Sequence, residues 1–328
     1  MIRKYVKLGL GILLAGIFLW MIIRQVNFDQ IRTSFKNASG AMIFVALVFF
    51  SVGYSCRIER WRLMLNHENP TLKWGKCAGP MLASMAANNV LPFRAGDLIR
   101  AFGFNKRLGI SAGTSITTLF VERMLDLLML ISLFGLALGF FGMKTSRFLG
   151  IGGIFLIIVA LVILSILLFP PIYKPIAFSF VKILLRYAPK IGHKIQEEIH
   201  KGFFALEQMS NGHTMSKLLL WSMLAWIFEG FLFWLSALAL PSITHPMAAW
   251  LALPIGTLAT ILPSTPGYVG TFDFFTIKAM TVLGNTLGAS TAYELLVHMM
   301  LWLPPTLTGG LYLLIHPIKS NKNLKIAQ

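Results

Sequence analysis

Apolar runs alternate along the chain with short, polar, mostly basic stretches. The runs cover residues 6–23, 41–56, 77–91, 114–141, 148–169, 218–240, 247–262, 268–283 and 291–315. A helix crosses a bilayer with about 20 mainly apolar residues, so most of these runs predict membrane-spanning helices. Run 6–23 follows Arg3 and Lys4, includes Lys7 and lacks a small-residue cleavage site, which predicts an uncleaved anchor. Runs 77–91 and 247–262 are short and end in Leu-Pro, each followed by a glycine and then an acid. Short hydrophobic segments interrupted by Gly and Pro in corresponding halves point to a transporter's binding site. The expected fold is an all-α polytopic membrane protein with about six full transmembrane helices and two broken, re-entrant helical hairpins.

Charge fixes an orientation for this pattern. The seven basic residues Lys174, Lys182, Arg186, Lys190, Lys194, Lys201 and Lys217 place loop 170–217 in the cytoplasm. Both termini and loop 57–76, with Arg57, Arg60, Arg62, Lys73 and Lys76, go to the same side. Fewer basic residues fall opposite: Arg24, Arg32, Lys36, Lys144 and Arg147. Within the basic loop, residues 177–209 mix apolar and basic positions and predict a helix lying on the membrane surface. With the sides fixed, the first hairpin enters from inside and the second from outside. Glu59, Pro92 and Glu122 recur as Glu229, Pro263 and Glu294 at a near-constant spacing, which supports an inverted repeat. A single membrane domain over 1–328 is therefore expected. It would hold an anchor helix and loop (1–39), repeat 1 (40–142), a linking span with a basic amphipathic segment (143–215), repeat 2 (216–316) and a basic tail (317–328).

Composition supports the membrane reading and removes others. Hydrophobic residues make up 56% and charged residues 12%, half the usual charged share of soluble domains of roughly 25%. The net charge of +17 does not signal nucleic acid, because the basic residues gather beside apolar runs, where they meet anionic lipid head groups. Cys56 and Cys77 lie in or beside apolar segments without metal-ligand spacing, so neither metal nor cofactor is expected.

Candidate chemistry comes from acids in apolar surroundings. Seven of the twelve acidic residues are so placed: Glu59, Asp97, Glu122, Asp126, Glu229, Asp273 and Glu294. A charge at mid-membrane costs at least about 2.5–3.5 kcal/mol, so such groups pair with one another or face a wet cavity. At the first break, Pro92 stops the helix and Asn88 and Asn89 can satisfy the freed backbone groups. A helix resuming near Gly96 would aim its amides at the break, where Arg94 and Arg100 add phosphate-gripping donors and Asp97 could hold both arginines. At the second break, Pro263, Pro266, Gly267 and Gly270 let backbone approach a ligand, and Asp273 opens the next helix. Glu122 and Asp126 share a helical face, with Arg123 in reach of Asp126. Glu59 and Arg60 end a helix, where interfacial anchoring is an equal alternative. Glu294 and His298 also share a face and could relay protons, although a lone intramembrane histidine is more often a packing residue.

Arg60-Trp61, Leu91-Pro92-x-Arg94-x-Gly96-Asp97-x-x-Arg100, Glu122-Arg123-x-x-Asp126 and Pro263-x-x-Pro266-Gly267-x-x-Gly270 together resemble the lysylphosphatidylglycerol synthase transmembrane-region family, also described as flippase-like. The resemblance runs from about residue 10 to 316. It implies an inner-membrane protein that moves lipids or lipid-linked groups between leaflets. Asp97 stands where the family usually has Glu, and His298 where Arg is expected. The bifunctional synthases carry a soluble aminoacyl-transferase domain after this region, whereas here the sequence stops at Gln328, so no aminoacyl transfer is expected.

Three functions compete. A translocator would hold the phosphate of an anionic lipid with Arg94 and Arg100. An integral-membrane glycosyltransferase would use Glu122, Asp126 or Glu59 as general base, although no Asp-x-Asp motif or phosphate-cradling glycine loop is present. A non-transporting protein would instead position a separately encoded glycosyl- or aminoacyl-transferase through loop 170–217. Membrane lipids are the expected partners throughout.

Overall fold

The computed structural model describes residues 28–91, 94–142, 147–187, 189–261 and 266–317, and every regular element among them is helical. The helices are α1 (Phe28–Lys36), α2 (Gly40–Leu65), α3 (Trp74–Val90), α4 (Ala95–Gly103), α5 (Asn105–Leu108), α6 (Ala112–Phe140) and α7 (Arg147–Leu168). After these come α8 (Pro170–Tyr187), α9 (Pro189–Met209), α10 (Gly212–Leu238), α11 (Ala249–Ala259), α12 (Thr271–Val282) and α13 (Leu287–Ile315). The expected anchor over 6–23, Pro92, Pro263 and the tail from 318 lie outside the described residues.

Among the described residues three helices are long and apolar enough to cross a membrane: α2, α6 and α10. A fourth candidate is the pair Phe155–Leu168 and Pro170–Lys182, bent by 89° at their junction. The expectation of six also counted the anchor and residues 291–315. Helix α13 has the length at 29 residues, but Glu294, His298, Pro304 and Pro305 dilute its apolar character. Large apolar side chains stand exposed on the outer faces, among them Phe44, Phe155, Ile157, Leu161 and Leu314. Such a surface suits lipid tails and would be a liability in water. Hydroxyl N-caps fix three helix starts: Ser39 accepts from Met42 N, Ser111 from Thr114 N and Thr286 from Ala289 N.

The expected surface helix over 177–209 is instead two helices, α8 and α9, packed on each other. Pro170 and Pro189 open them, because proline lacks the amide that a helix's first turn leaves unused.

Both broken segments fold back as helical hairpins, α3 on α4 and α11 on α12. Helices α2 and α10 run antiparallel. Ser39 N donates to Ala239 O (2.8 Å) at one end, and Arg60 Nη1 donates to Ser222 Oγ (2.9 Å) at the other. The broken helices pack across the molecule, α3 against α13 and α11 against α6.

Glycines set how closely these helices approach. At Gly309 of α13, an added Cβ would sit 2.0 Å from Leu82 O of α3, whereas at Gly310 it would meet nothing within 4 Å. Gly309→Ala is expected to destabilise the protein by about 1–3 kcal/mol and Gly310→Ala to change little. Thermal unfolding of both variants in detergent checks this pair.

Two buried apolar clusters meet partway along the long helices. On α2 one cluster reaches Phe50 and the other begins at Ile58; on α10 one includes Leu218 and the other begins at Trp226. Arg57, Asp126 and Ser222 lie at that boundary, and the charged layer is built there.

Candidate functional site

The first break is held by side chains of α3. Asn88 Nδ2 donates to Asp97 Oδ1 (2.9 Å), while Asp97 N donates to Asn88 Oδ1 (3.2 Å), so one amide closes the hairpin in both directions. Ser84 Oγ adds a donor to Asp97 at 3.4 Å. Gly96 permits this approach, since a Cβ there would lie 2.0 Å from Ser84 O. Asn89 turns to α13, donating to Trp302 O (3.1 Å) and Thr306 Oγ1 (2.8 Å).

The charged layer differs from the expected one in its pairing. Asp97 does not hold Arg94 and Arg100; it pairs with Arg123 (2.9 Å), from helix α6. Arg100 is turned away from the break, buried against Glu122 (3.0 Å), Met81 Sδ (2.7 Å) and the Trp61 ring (5.0 Å). Its guanidinium is thus engaged by Glu122, which also lies 3.8 Å from Arg123. Arg57 and Arg60, expected at the cytoplasmic end of a helix, lie inside α2, which runs on to Leu65. Asp126 binds Arg60 (2.8 Å), Arg57 (3.6 Å) and Arg123 (3.7 Å), and also accepts from Trp226 Nε1 (3.2 Å). Glu229 pairs with Arg57. Glu59 instead pairs with Arg62 on its own helix (2.7 Å), away from this layer, so its sequence match to Glu229 does not extend to its surroundings.

A cavity of 330 Å³ opens beside the layer. Its wall draws on both halves of the chain: Tyr54 and Arg57 of α2, Asn88 and Asn89 of α3, Arg123 and Asp126 of α6, Trp226 and Glu229 of α10, Thr257 of α11 and Thr260 just after it, and His298 and Trp302 of α13. Arg94 and Tyr268 also line it and face each other, the Arg94 guanidinium lying 5.4 Å from the Tyr268 ring centre. Among the described residues these two are the only non-glycine residues with positive φ, 50° and 64°. Such backbone costs roughly 1–3 kcal/mol each and persists where surroundings enforce it, commonly at functional sites. Arg57 and Arg123 are neutralised by carboxylates, whereas Arg94 has only the Thr260 hydroxyl (3.1 Å) and forms no ion pair among the described residues. Arg57, Arg60 and Arg123 each meet a carboxylate of Asp97, Asp126 or Glu229, so among the described residues Arg94 is the guanidinium of the cavity wall without an ion-pair partner.

The second break ends with Gly267 and Gly270, both at positive φ. Gly267 lies against Trp302 and Asn89 O, which ties the second break to the first. Asp273, in the first turn of α12, accepts from Gly270 N (2.7 Å) and meets His298 Nδ1 (2.5 Å). Glu294 lies 3.3 Å from the same nitrogen. The ligand-type atoms of these three side chains fall within 4.8 Å of one another, close enough to hold a cation between them.

A family model for the lysylphosphatidylglycerol synthase TM region matches residues 8–309. The chain belongs to this family. A second member-like sequence is the UPF0104 membrane protein MJ1595 of Methanocaldococcus jannaschii, 21% identical over 321 residues, with 95% of this chain and 96% of that protein covered. Part of the chain, 42%, is 29% identical over 137 residues to a protein named glycosyltransferase AglD of Haloferax volcanii. That match spans only 22% of the Haloferax protein's length. Lysylphosphatidylglycerol synthase TM regions are membrane domains, and the exposed apolar faces of α2 and α7 agree with that setting.

In this family member the wall residues Tyr54, Arg57, Trp226, Thr260, Tyr268 and Trp302 were not singled out from sequence. Arg57 and Arg60, one helical turn apart and in line with Gly53, carried a signal, because that spacing places them on one face. The aromatic positions carried none, since aromatic residues are spread through every apolar run.

Proposed function

We propose that this protein moves an anionic lipid or lipid-linked group between membrane leaflets, with the head group entering the cavity and the tails staying in the bilayer. The observation that carries this reading is Arg94, a strained cavity cation without a carboxylate partner among the described residues. A phosphate there would pair with the Arg94 guanidinium, with Arg123 beside it, its side chain 33% accessible. A volume of 330 Å³ suits a head group and excludes paired acyl chains. Phospholipids, aminoacyl-phospholipids and polyprenyl-phosphate-linked sugars all carry the required anion.

The packing supports an inverted repeat. Corresponding helices α2 and α10 are antiparallel, and each broken helix packs on the last helix of the other half. We place the chain in the inner membrane, multi-pass, with both termini cytoplasmic, on the strength of its basic loops. The partial likeness to a protein named a glycosyltransferase favours a second reading, in which the chain acts on, or serves a separate transferase of, lipid-linked sugar. Labelled donor separates the two, because translocation leaves the lipid chemically unchanged.

Head-group occupancy is tested by a Thr260→Cys variant in which Cys56 and Cys77 are replaced by alanine. A water-borne thiol reagent is expected to label this cysteine, and short-chain phosphatidylglycerol to slow labelling by roughly tenfold. Labelling that no anionic lipid slows would count against the site.

A further inference from the structure

Asp273 and Glu294 present two buried carboxylates to one imidazole. Among the described residues no lysine or arginine forms an ion pair with either carboxylate. Among the described residues the neighbouring elements supply no other counter-charge, and on α3, which packs on α13, the one basic residue, Lys76, is exposed. On α12, Lys278 is exposed and lies over the Phe274 ring. On α13, the Tyr293 hydroxyl donates to Phe233 O. Glu229 of α10 is taken by Arg57, α11 has no titratable side chain, and Asp29, Arg32 and Lys36 of α1 are exposed. Nδ1 of His298 carries at most one hydrogen, yet it has acceptors at 2.5 Å and 3.3 Å. With His298 protonated the cluster still bears one negative charge, and one further proton makes it neutral. Charge in such surroundings is costly enough that the cluster favours taking that proton from water in the cavity.

The cluster also bears on the anion site. Asp273 Oδ2 accepts from Gly270 N (2.7 Å), the amide that opens α12. Gly270 lies two residues from Tyr268, which faces Arg94 across the cavity. An ionised Asp273 anchors this turn, and a protonated one accepts more weakly and favours the helix start less.

We propose that Asp273, Glu294 and His298 bind an exchangeable proton whose arrival and departure shift the turn from Gly267 to Gly270 and thereby couple lipid movement to a proton gradient. This rests on the translocator reading above. One proton is taken from the water on one side of the membrane and released on the other, and no bond of the lipid changes.

Two measurements test it. In proteoliposomes with fluorescent phosphatidylglycerol, an imposed pH gradient is expected to speed leaflet exchange by roughly tenfold, and a protonophore to abolish the gain. Asp273→Asn and Glu294→Gln should lose this response, and Glu294→Asp should keep part of it, which a purely structural role would not produce. Exchange that occurs but ignores the gradient overturns the coupling and leaves the translocator reading standing. The second readout needs no transport. Infrared difference spectra of the purified protein between about pH 5 and pH 8 should show a buried carboxylic-acid band that disappears in Asp273→Asn or Glu294→Gln. Absence of such a band in the parent protein overturns the proposal whether or not lipid moves.

Discussion

Replacing Asp126 by alanine is expected to destabilise the folded protein by about 3–5 kcal/mol, because removing one partner of a buried ion pair leaves the other charge uncompensated. Here the loss falls on several groups at once. Arg60 is fully buried and its Nε and Nη2 already lack partners; Asp126 supplies its carboxylate contact. Arg57 and Arg123 also bear on Asp126, and Trp226 donates to it. These groups come from α2, α6 and α10, so the three long apolar helices separate more easily without the carboxylate. Chemical unfolding in detergent should show a large drop in midpoint. Replacing Arg60 by methionine together with Asp126→Leu should recover part of the loss, since well-packed apolar groups often substitute for a buried pair without cost. An unchanged midpoint for Asp126→Ala would mean that the layer is not a structural keystone.

Arg94→Gly is expected to act in the opposite sense on stability. Glycine adopts positive φ without steric strain, so the variant should unfold later, by roughly 1 kcal/mol. It should also lose affinity for short-chain phosphatidylglycerol by roughly ten- to hundredfold, as expected for a lost hydrogen bond to a charged group. Arg94→Lys should retain part of the affinity, because a point charge replaces the fork. Greater stability with lost binding would mark the strain at Arg94 as serving function. A variant that binds as before would remove the residue from the site.

Much of the fold was legible in the pattern of apolar runs. Leu-Pro followed by glycine and an acid located both hairpins, since proline stops a helix and a carboxylate favours the next start. Helix α4 resumes at Ala95 and α12 at Thr271, close to the expected positions. Pairing was less legible. Sequence proximity suggested that Asp97 holds Arg94 and Arg100, but helical geometry gives Arg100 to Glu122 and Asp97 to Arg123, both on α6. Such pairs depend on the rotation of one helix against another, which local spacing does not encode. Loop 57–76 looked basic because it was read from the end of the apolar run at Cys56. In the structure α2 continues to Leu65, burying Arg60 and pairing both Arg57 and Arg60 with acids far along the chain. His298, less conspicuous alone, gains meaning from Asp273 on the neighbouring helix.

Whether the protein moves lipid is decided by leaflet exchange of fluorescent phosphatidylglycerol and of a polyprenyl-phosphate-linked sugar, followed in liposomes with and without the purified protein. Faster exchange of at least one of these lipids is expected with the parent protein, and loss of that gain in Arg94→Ala while the variant remains folded. Exchange no faster than in protein-free liposomes for either lipid, or an Arg94→Ala variant as active as the parent, would contradict it.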